Sequence, residues 1–433
     1  MSVRIFPSCK IERANTPLWF VLALFVLMSR PTDTHADDAL ETFGDIAQFA
    51  LPAIGLGATA IYEDWEGTKQ WAYTGVTAVG TTLIMKEIYQ KPRPGLGSSD
   101  SFPSAHTTLA FFGAGFLDQR YGKWWGIPSY AAAAVTAYSR VVADYHFVDD
   151  TLMGASVGLM SSWLWTTPHE GAVSLIPFQQ NDGGGLKVSF NGNDKPDDYS
   201  GLNDKDRWRY AITFGPTWQQ ENKITSPVGV GTEFDLDSFD GIIDPITTAF
   251  PVIERYTGRH LFQFSVAPLE ARDLGQFSQP TLFNNTIYVP PEKIISGYRL
   301  TDWRLQYYYD LLPDNKIILL AGMGLSYQHL VVDMVTTAGT KREKAKSDIL
   351  LPLVNASLGY QFSPRFSVAA ELSGLSVSDQ EQLDANISLM YRINKKWDAG
   401  IGYGIYYHDT EGGGLRNEVK YNMLMTYVGF SWY

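Results

Sequence analysis

Apolar and polar positions follow two different periods along this chain. Between about 39 and 166, Ala, Gly, Leu and aromatic residues fill blocks of helical length, such as FALPAIGLGATAIY (49–62), QWAYTGVTAVGTTLIMKEIYQ (70–90) and TLMGASVGLMSSWLW (151–165). These blocks predict about five or six packed helices. None holds the long unbroken apolar run of a lipid-spanning helix, and the first carries Pro52. A water-soluble or membrane-associated all-α bundle is therefore expected in preference to an inner-membrane domain. The stretch NDGGGLKVSFNGNDKPDDYSGLNDKD (181–206) has turn and linker chemistry. Beyond it the period drops to two: Trp208, Tyr210, Ile212, Phe214 and Trp218 are apolar, whereas Arg209, Thr213, Gly215 and Thr217 are small or polar. The same alternation runs through DANISLMYRI (384–393) and KWDAGIGYGIYY (396–407), as half-buried strands require.

Such segments start near 205, 258, 297, 315, 348, 365, 383, 396 and 418, and VGVGTEFDL (228–236) is a weaker tenth. The turns PDN, SP and NK are short, whereas AGTKREKAKS (338–347) and DTEGGGLRNE (409–418) read as longer loops. Short turns at one end and long loops at the other describe an antiparallel transmembrane β-barrel of the outer-membrane type, with about ten strands and a range of roughly eight to twelve. The last strand alternates and ends on Tyr433, with Gly429 one residue later than the terminal assembly signal of such barrels would place it. A secreted β-sandwich is the competing reading, disfavoured by strand and loop lengths. The connection 237–257 is a misfit, too long for a periplasmic turn. An even strand count puts both barrel ends on the periplasmic side. A domain joined to the barrel's start is then expected in the periplasm, against the inner leaflet of the bacterial outer membrane, with the barrel-assembly machinery as a partner and outer-membrane lipid as surroundings.

The first residues restrict the compartment. Arg4, Lys10 and Arg13 precede the apolar run PLWFVLALFVLM (17–28), which is followed by SRPTDTHA ending at Ala36. This order of charged, apolar and small residues is that of a secretory signal peptide, too short for an ordinary spanning helix. The expected divisions are a signal peptide over 1–36, a helical domain over 37–170, a linker with room for a small hairpin over 171–204 and a barrel over 205–433. The only cysteine, Cys9, falls in the first of these, so no disulfide or cysteine metal site is expected after it. The formal net charge is −12, which repels nucleic acid, and no basic stripe reverses that.

The helical half also carries chemistry. Lys86 and Arg93-Pro94 are followed by Pro103-Ser104-Ala105-His106, then by Ser139-Arg140, His146 and Asp150. Pro92 and Pro94 push their predecessors out of helical geometry, so the helix holding Lys86 should stop and Arg93 should fold back toward the same place. Pro103 and Ser104 look like a helix start, whose unpaired amides attract an anion. Arg140 and His146 would diverge on one continuous helix, so the chain must bend near Asp144 and Tyr145 if both touch one ligand. His146 and Asp150 share a helix face, which lets the carboxylate accept one ring N–H and leaves the other nitrogen free.

In order and spacing these segments resemble the three signature motifs of the type 2 phosphatidic acid phosphatase superfamily, which includes bacterial non-specific acid phosphatases and vanadium haloperoxidases. The resemblance implies hydrolysis without metal or cofactor. His146 would form a phosphohistidine, Asp150 would orient it, and His106 would protonate the leaving oxygen. Lys86, Arg93, Ser104, Arg140 and the amide of Ala105 would bind the phosphoryl oxygens. The implied substrate is a phosphorylated lipid such as phosphatidic acid, phosphatidylglycerol phosphate, a lipid A phosphate or a polyprenyl diphosphate.

Each residue also has a plain structural reading: Lys86 as a solvated helix end, Ser104 as a cap, Asp150 as a surface acid. Together they favour the site, and Asp149 is left as the surface acid. Ala105 stands where the superfamily most often has glycine, and only eight residues separate Pro94 from Pro103, which predicts an open pocket. The alternatives are a broad-specificity acid phosphatase anchored by the barrel, a haloperoxidase, and a pore or adhesin whose helical part is inactive. His260, His329 and His408 on predicted strands are given no catalytic role.

Overall fold

The computed structural model describes residues 37–95, 97–169, 173–180, 183–190, 206–236, 245–313, 316–378 and 380–432. The expected signal peptide lies outside them. Five helices come first: α1 (Asp37–Ile61), α2 (Trp65–Tyr89), α3 (Ala105–Tyr121), α4 (Lys123–Val142) and α5 (Val148–Trp165). Their ends follow from local chemistry. Asp64 caps α2 by accepting the Gly67 amide at 2.8 Å. Gln90 takes a left-handed conformation (φ 42°) that ends α2 before Pro92. Ser104 caps α3, and Asp144 at φ 54° makes the bend between α4 and α5. The α3 helix is central; Ala110, Phe111, Ala114, Phe116 and Leu117 are wholly buried. Close approach depends on glycine: a Cβ on Gly158 would run into the Thr108 carbonyl and the Phe112 amide, and one on Gly154 into the Ser104 carbonyl. Among the described helices one, spanning Asp38–Ile61, is long and apolar enough to cross a membrane, which corrects the expectation that none is.

Strands β1 (Val173–Gln180) and β2 (Gly183–Phe190) pair as an antiparallel hairpin. The barrel strands are β3 (Asp206–Thr225), β5 (Ile246–Thr257), β6 (His260–Gly275), β9 (Ile294–Asp310), β10 (Ile317–Thr336), β11 (Arg342–Gln361), β12 (Phe366–Val377), β13 (Gln380–Arg392), β14 (Trp397–Gly412) and β15 (Leu415–Trp432). Each pairs antiparallel with its neighbours, and β15 closes onto β3 from Arg416↔Thr225 to Trp432↔Trp208, so the ten strands form a closed barrel. The short pieces β4 (Phe234–Asp235), β7 (Thr281–Phe283) and β8 (Thr286–Tyr288) belong to loops.

Two details differ from the sequence reading. The tenth strand is β5, inside the misfit connection, whereas 228–236 supplies only the two residues of β4. Pro251 and the run of buried residues along β5 obscure its alternation, because both of its faces are covered. The long connections are 226–245 and 276–293; the segment 409–418 is a tight hairpin turning at Gly413 and Gly414, both at positive φ.

The two long connections lie at the same end of the barrel, where Phe234, Leu236, Phe277, Phe283 and Tyr288 pack onto lumen-facing Leu269, Tyr298, Leu330 and Val332. That end is stoppered by an apolar core. The other end carries residue 206, residue 432 and the short turns at 258–259, 362–365 and 393–396.

The helices do not sit beyond that short-turn end, as strand parity suggested. They lie along the barrel's outer wall. On β3, β5 and β6 the lumen is lined by Arg209, Ala211, Val252, Glu254, Ser265 and Ala267. The alternate, outward positions Tyr210, Ile212, Ala249, Ile253 and Val266 are buried beneath the helices, mainly α5. Ser156 and Tyr210 hydroxyls meet at 2.7 Å across this contact, and the Val148 amide donates to Glu270 at 2.8 Å.

Candidate active site

All the sequence-predicted site residues lie at one end of the helices, where α2, the loop 90–104, the start of α3, the end of α4 and the start of α5 meet. The His146 backbone amide donates to the Arg140 carbonyl at 3.1 Å, so the bend at Asp144 returns the imidazole to the end of α4. The ring is 3 % exposed. Its Nδ1 lies 3.4 Å from the Ser101 hydroxyl and 3.7 Å from Asp150 Oδ2. The second distance is too long for the direct hydrogen bond that the one-turn spacing predicted. Asp150 Oδ2 instead accepts from the Phe147 amide at 2.8 Å and from Ser101 Oγ at 2.5 Å. Ser101 therefore stands between carboxylate and ring. Among the described residues Nε2 is left without a hydrogen-bond partner. Burial pushes the His146 imidazole below its ordinary value, against the opposing pull of Asp150, and Arg93 and Lys86 push it the same way.

Lys86, Arg93 and Arg140 each meet an acidic or carbonyl partner at this end. Lys86 Nζ, in the last turn of α2, donates to the Asp100 carbonyl. Arg93 makes a forked pair with the Asp100 carboxylate at 2.9 and 3.1 Å, which holds that carboxyl well below the usual range. Arg140 is buried and donates from Nη1 to Asp45 at 2.9 Å and from Nη2 to the Glu41 carbonyl at 2.7 Å. The same oxygen of Asp45 lies 3.2 Å from His106 Nε2. Asp45 Oδ1 thus bridges a guanidinium and an imidazole. His106 and His146 lie within electrostatic range of each other.

Ser104 accepts from the Thr107 amide at 3.4 Å and donates its own amide to the Asp150 carbonyl at 2.9 Å, tying α3 to α5. Ala105 opens α3, so its amide is among the unpaired donors of a helix start. The site is less open than the short link predicted: His106 is partly exposed, whereas His146 is closed over.

Asp149 is not the surface acid expected. It is 1 % exposed and accepts from Lys91 Nζ at 2.6 and 2.7 Å, while the same ammonium lies 3.0 Å from Asp150 Oδ1 and over the Phe147 ring. Burial alone would lower Lys91, but the two carboxylates more than offset it and hold it above the usual lysine value. Sequence reasoning passed over Lys91, Ser101 and Asp45. Lys91 stands inside the segment that pointed to Lys86 and Arg93, and Ser101 directly precedes Phe102-Pro103. Asp45 has no local signal, since only folding brings α1 to α4.

Residues 68–172 match the PAP2 superfamily, and residues 307–428 match the family described as protein of unknown function DUF481. A Lipid A 1-phosphatase of Porphyromonas gingivalis is 35% identical over 103 residues, which are 22% of this chain and 23% of that protein. The chain therefore spans less than a quarter of that relative. A Lipid A 4'-phosphatase of Helicobacter pylori is 27% identical over 164 residues, 35% of this chain and 82% of that protein. The crystal structure of Aquifex aeolicus LpxE aligns with 33% of this chain and 92% of its own, at 22% identity and a TM-score of 0.29.

Proposed function

Residues 68–172 belong to the PAP2 superfamily, and from that premise we propose that this chain is a phosphoric ester hydrolase acting on lipid phosphates in the outer membrane through a phosphohistidine at His146. The observation that carries the reading is a buried imidazole with Nε2 free, Nδ1 facing Ser101 and Asp150, and the charges of Arg93 and Lys86 acting on it. The similarity to lipid A phosphatases supports a phosphorylated lipid as substrate.

In the first step Nε2 of neutral His146 attacks phosphorus and the P–O bond to the lipid breaks. His106 gives its proton to the departing oxygen, and a phosphate dianion beside the ring favours the protonated form needed. In the second step His106 takes a proton from water, the oxygen attacks phosphorus, and the P–N bond breaks to release phosphate and neutral His146. Asp150 and Ser101 hold the Nδ1 side and favour the imidazolium that each transition state approaches. Lys86, Arg93 and Arg140, with the amides at the start of α3, take the charge on the equatorial oxygens. A substrate phosphate would displace Asp45 from Arg140 and Asp100 from Arg93.

The test is phosphate release by purified protein and its His146→Ala variant from lipid A, phosphatidic acid, phosphatidylglycerol phosphate and p-nitrophenyl phosphate. Release from lipids by wild type only is expected. Equal turnover of the soluble ester would favour a broad acid phosphatase, and no release from any substrate would favour a structural role.

A further inference from the structure

The helices and the barrel are joined so that the candidate site has a definite position relative to the two ends of the barrel. Along the contact, Val148 at the start of α5 donates to Glu270, late in β6, and Asp144 lies 3.9 Å from Arg272. Lys91, Pro92, Arg93 and Phe147 line a shallow pocket with Ile246, Thr247, Glu270 and Arg272. These barrel residues begin β5 and end β6, next to the long connections 226–245 and 276–293. At the far end of α5, Met160 and Trp163 pack with Trp208, Tyr210, Ile253 and Trp432, near the short turns. The site end of the helices is therefore level with the long-loop end of the barrel.

A second observation concerns what surrounds the helices. On α1 and the turn after it, the exposed large side chains between Asp45 and Glu63 are Ile46, Phe49, Ile54, Leu56, Ile61 and Tyr62. On α2, between Lys69 and Glu87, they are Tyr73, Val76, Val79, Leu83 and Ile84. Both intervals are about 18 residues, or about 27 Å of helix, close to the thickness of a bilayer's hydrocarbon core. The charged groups gather above and below: Asp45, Lys86, Arg93, Asp100 and Arg140 at the site end, Asp64, Lys69, Arg120 and Lys123 at the other. The barrel's outward face away from the helices carries a matching band, with Met323, Leu350, Val354, Leu372, Ile387 and Ile401 exposed. Two apolar bands side by side, joined by one packed contact, have one common surrounding, the acyl chains of a single membrane.

In barrels of this kind the long loops face the outside of the cell and the short turns the periplasm. We infer that the five helices lie in the outer membrane beside the barrel, and that the His146 site opens at its outer surface, on phosphates of lipids held in the outer leaflet. This replaces the periplasmic placement that strand parity alone suggested. The inference takes from the proposed function only the substrate class, a lipid phosphate; the placement stands on geometry.

Cysteine accessibility tests it. In a Cys9→Ser background, which holds no cysteine, single variants are exposed to a membrane-impermeant maleimide on intact cells and again after the outer membrane is permeabilised. Ser99→Cys, in the exposed loop beside the site, should label on intact cells as fully as Ala338→Cys in the barrel's β10–β11 loop. Lys69→Cys, at the opposite end of α2, and Lys395→Cys, in a short turn, should label only after permeabilisation. Val76→Cys, in the middle of the band, should stay protected until detergent is added. Labelling of Lys69→Cys but not Ser99→Cys on intact cells would overturn the orientation. Labelling of Val76→Cys in permeabilised cells at the rate of Lys69→Cys would overturn the shared membrane. Neither readout depends on turnover, so an inactive protein with the expected labelling would sink the phosphatase reading alone.

Discussion

At the scale of single residues, the candidate site is a set of paired charges, some buried and some half exposed. Lys91 sits between Asp149 and Asp150 with all three side chains almost wholly buried. Replacing it by Met leaves two carboxylates uncompensated, and a loss of about 3–5 kcal/mol is expected, read as a lower denaturation midpoint. A midpoint within error of wild type would show that water or rearrangement replaces the ammonium. Asp45 poses the opposite case, because its carboxylate is half exposed and occupies Arg140 and His106. Asp45→Asn should lower KM for an anionic substrate by several-fold; a raised KM with unchanged kcat would mean that Asp45 organises the site rather than competing for it. The His146 ring is held below the ordinary imidazole value of 6.5 chiefly by burial. The neutral nucleophile therefore persists as pH falls through 6.5, and the folding stability linked to burying it neutral is lost only as pH falls further. Histidine NMR with a His146→Asn difference spectrum should place its titration below 6.5, and a midpoint at or above that contradicts the burial argument.

At the scale of elements, helix ends were more legible than helix contacts. Pro92, Pro94, Ser104 and the Arg140–His146 spacing announced where α2 stops, α3 starts and the chain bends, because these are local steric facts. The pairing of Asp149 with Lys91 was not legible, since the two are brought together only by packing α5 against the loop after α2. The strands gave the same lesson. Alternation revealed nine strands with one face on lipid or lumen, but β5, covered by α5 outside and bearing Pro251, lost its polar face and with it the signal. Glycine marks the tightest helix contact. Gly158→Val would press on the backbone of α3 at Thr108 and Phe112, shifting α3 and its His106 away from His146. A cost of about 1–3 kcal/mol is expected, with a larger fall in kcat than in lipid binding. Unchanged kcat would show that the two imidazoles tolerate a looser α3–α5 contact.

For the molecule as a whole, the barrel supplies a wall against which the helices, and with them the candidate site, are packed. The lumen holds paired charges, such as Arg304 with Asp302 and Asp384 and His408 with Asp384 at 2.9 Å, beneath the apolar stopper at the long-loop end. Below the stopper, a cavity of about 490 Å³ is lined by lumen residues including Arg209, Glu254, Arg304 and Asp384. The outward surface of β3, β5 and β6 does the work of docking instead. Ile253→Arg would place a charge beneath Met160 and Trp163, and helices released from the wall should lose activity while the barrel still folds. Retained activity with that charge in place would mean that the wall contact is dispensable.

The central claim, that His146 carries the phosphoryl group, is tested most directly by acid-free rapid quenching of protein turning over a phosphorylated lipid, followed by mass spectrometry of the peptide holding residue 146. A phosphate on His146 that forms within one turnover and disappears as substrate is exhausted is the predicted result. Steady release of phosphate with residue 146 unmodified at every time point, and undiminished in His146→Ala, would contradict it.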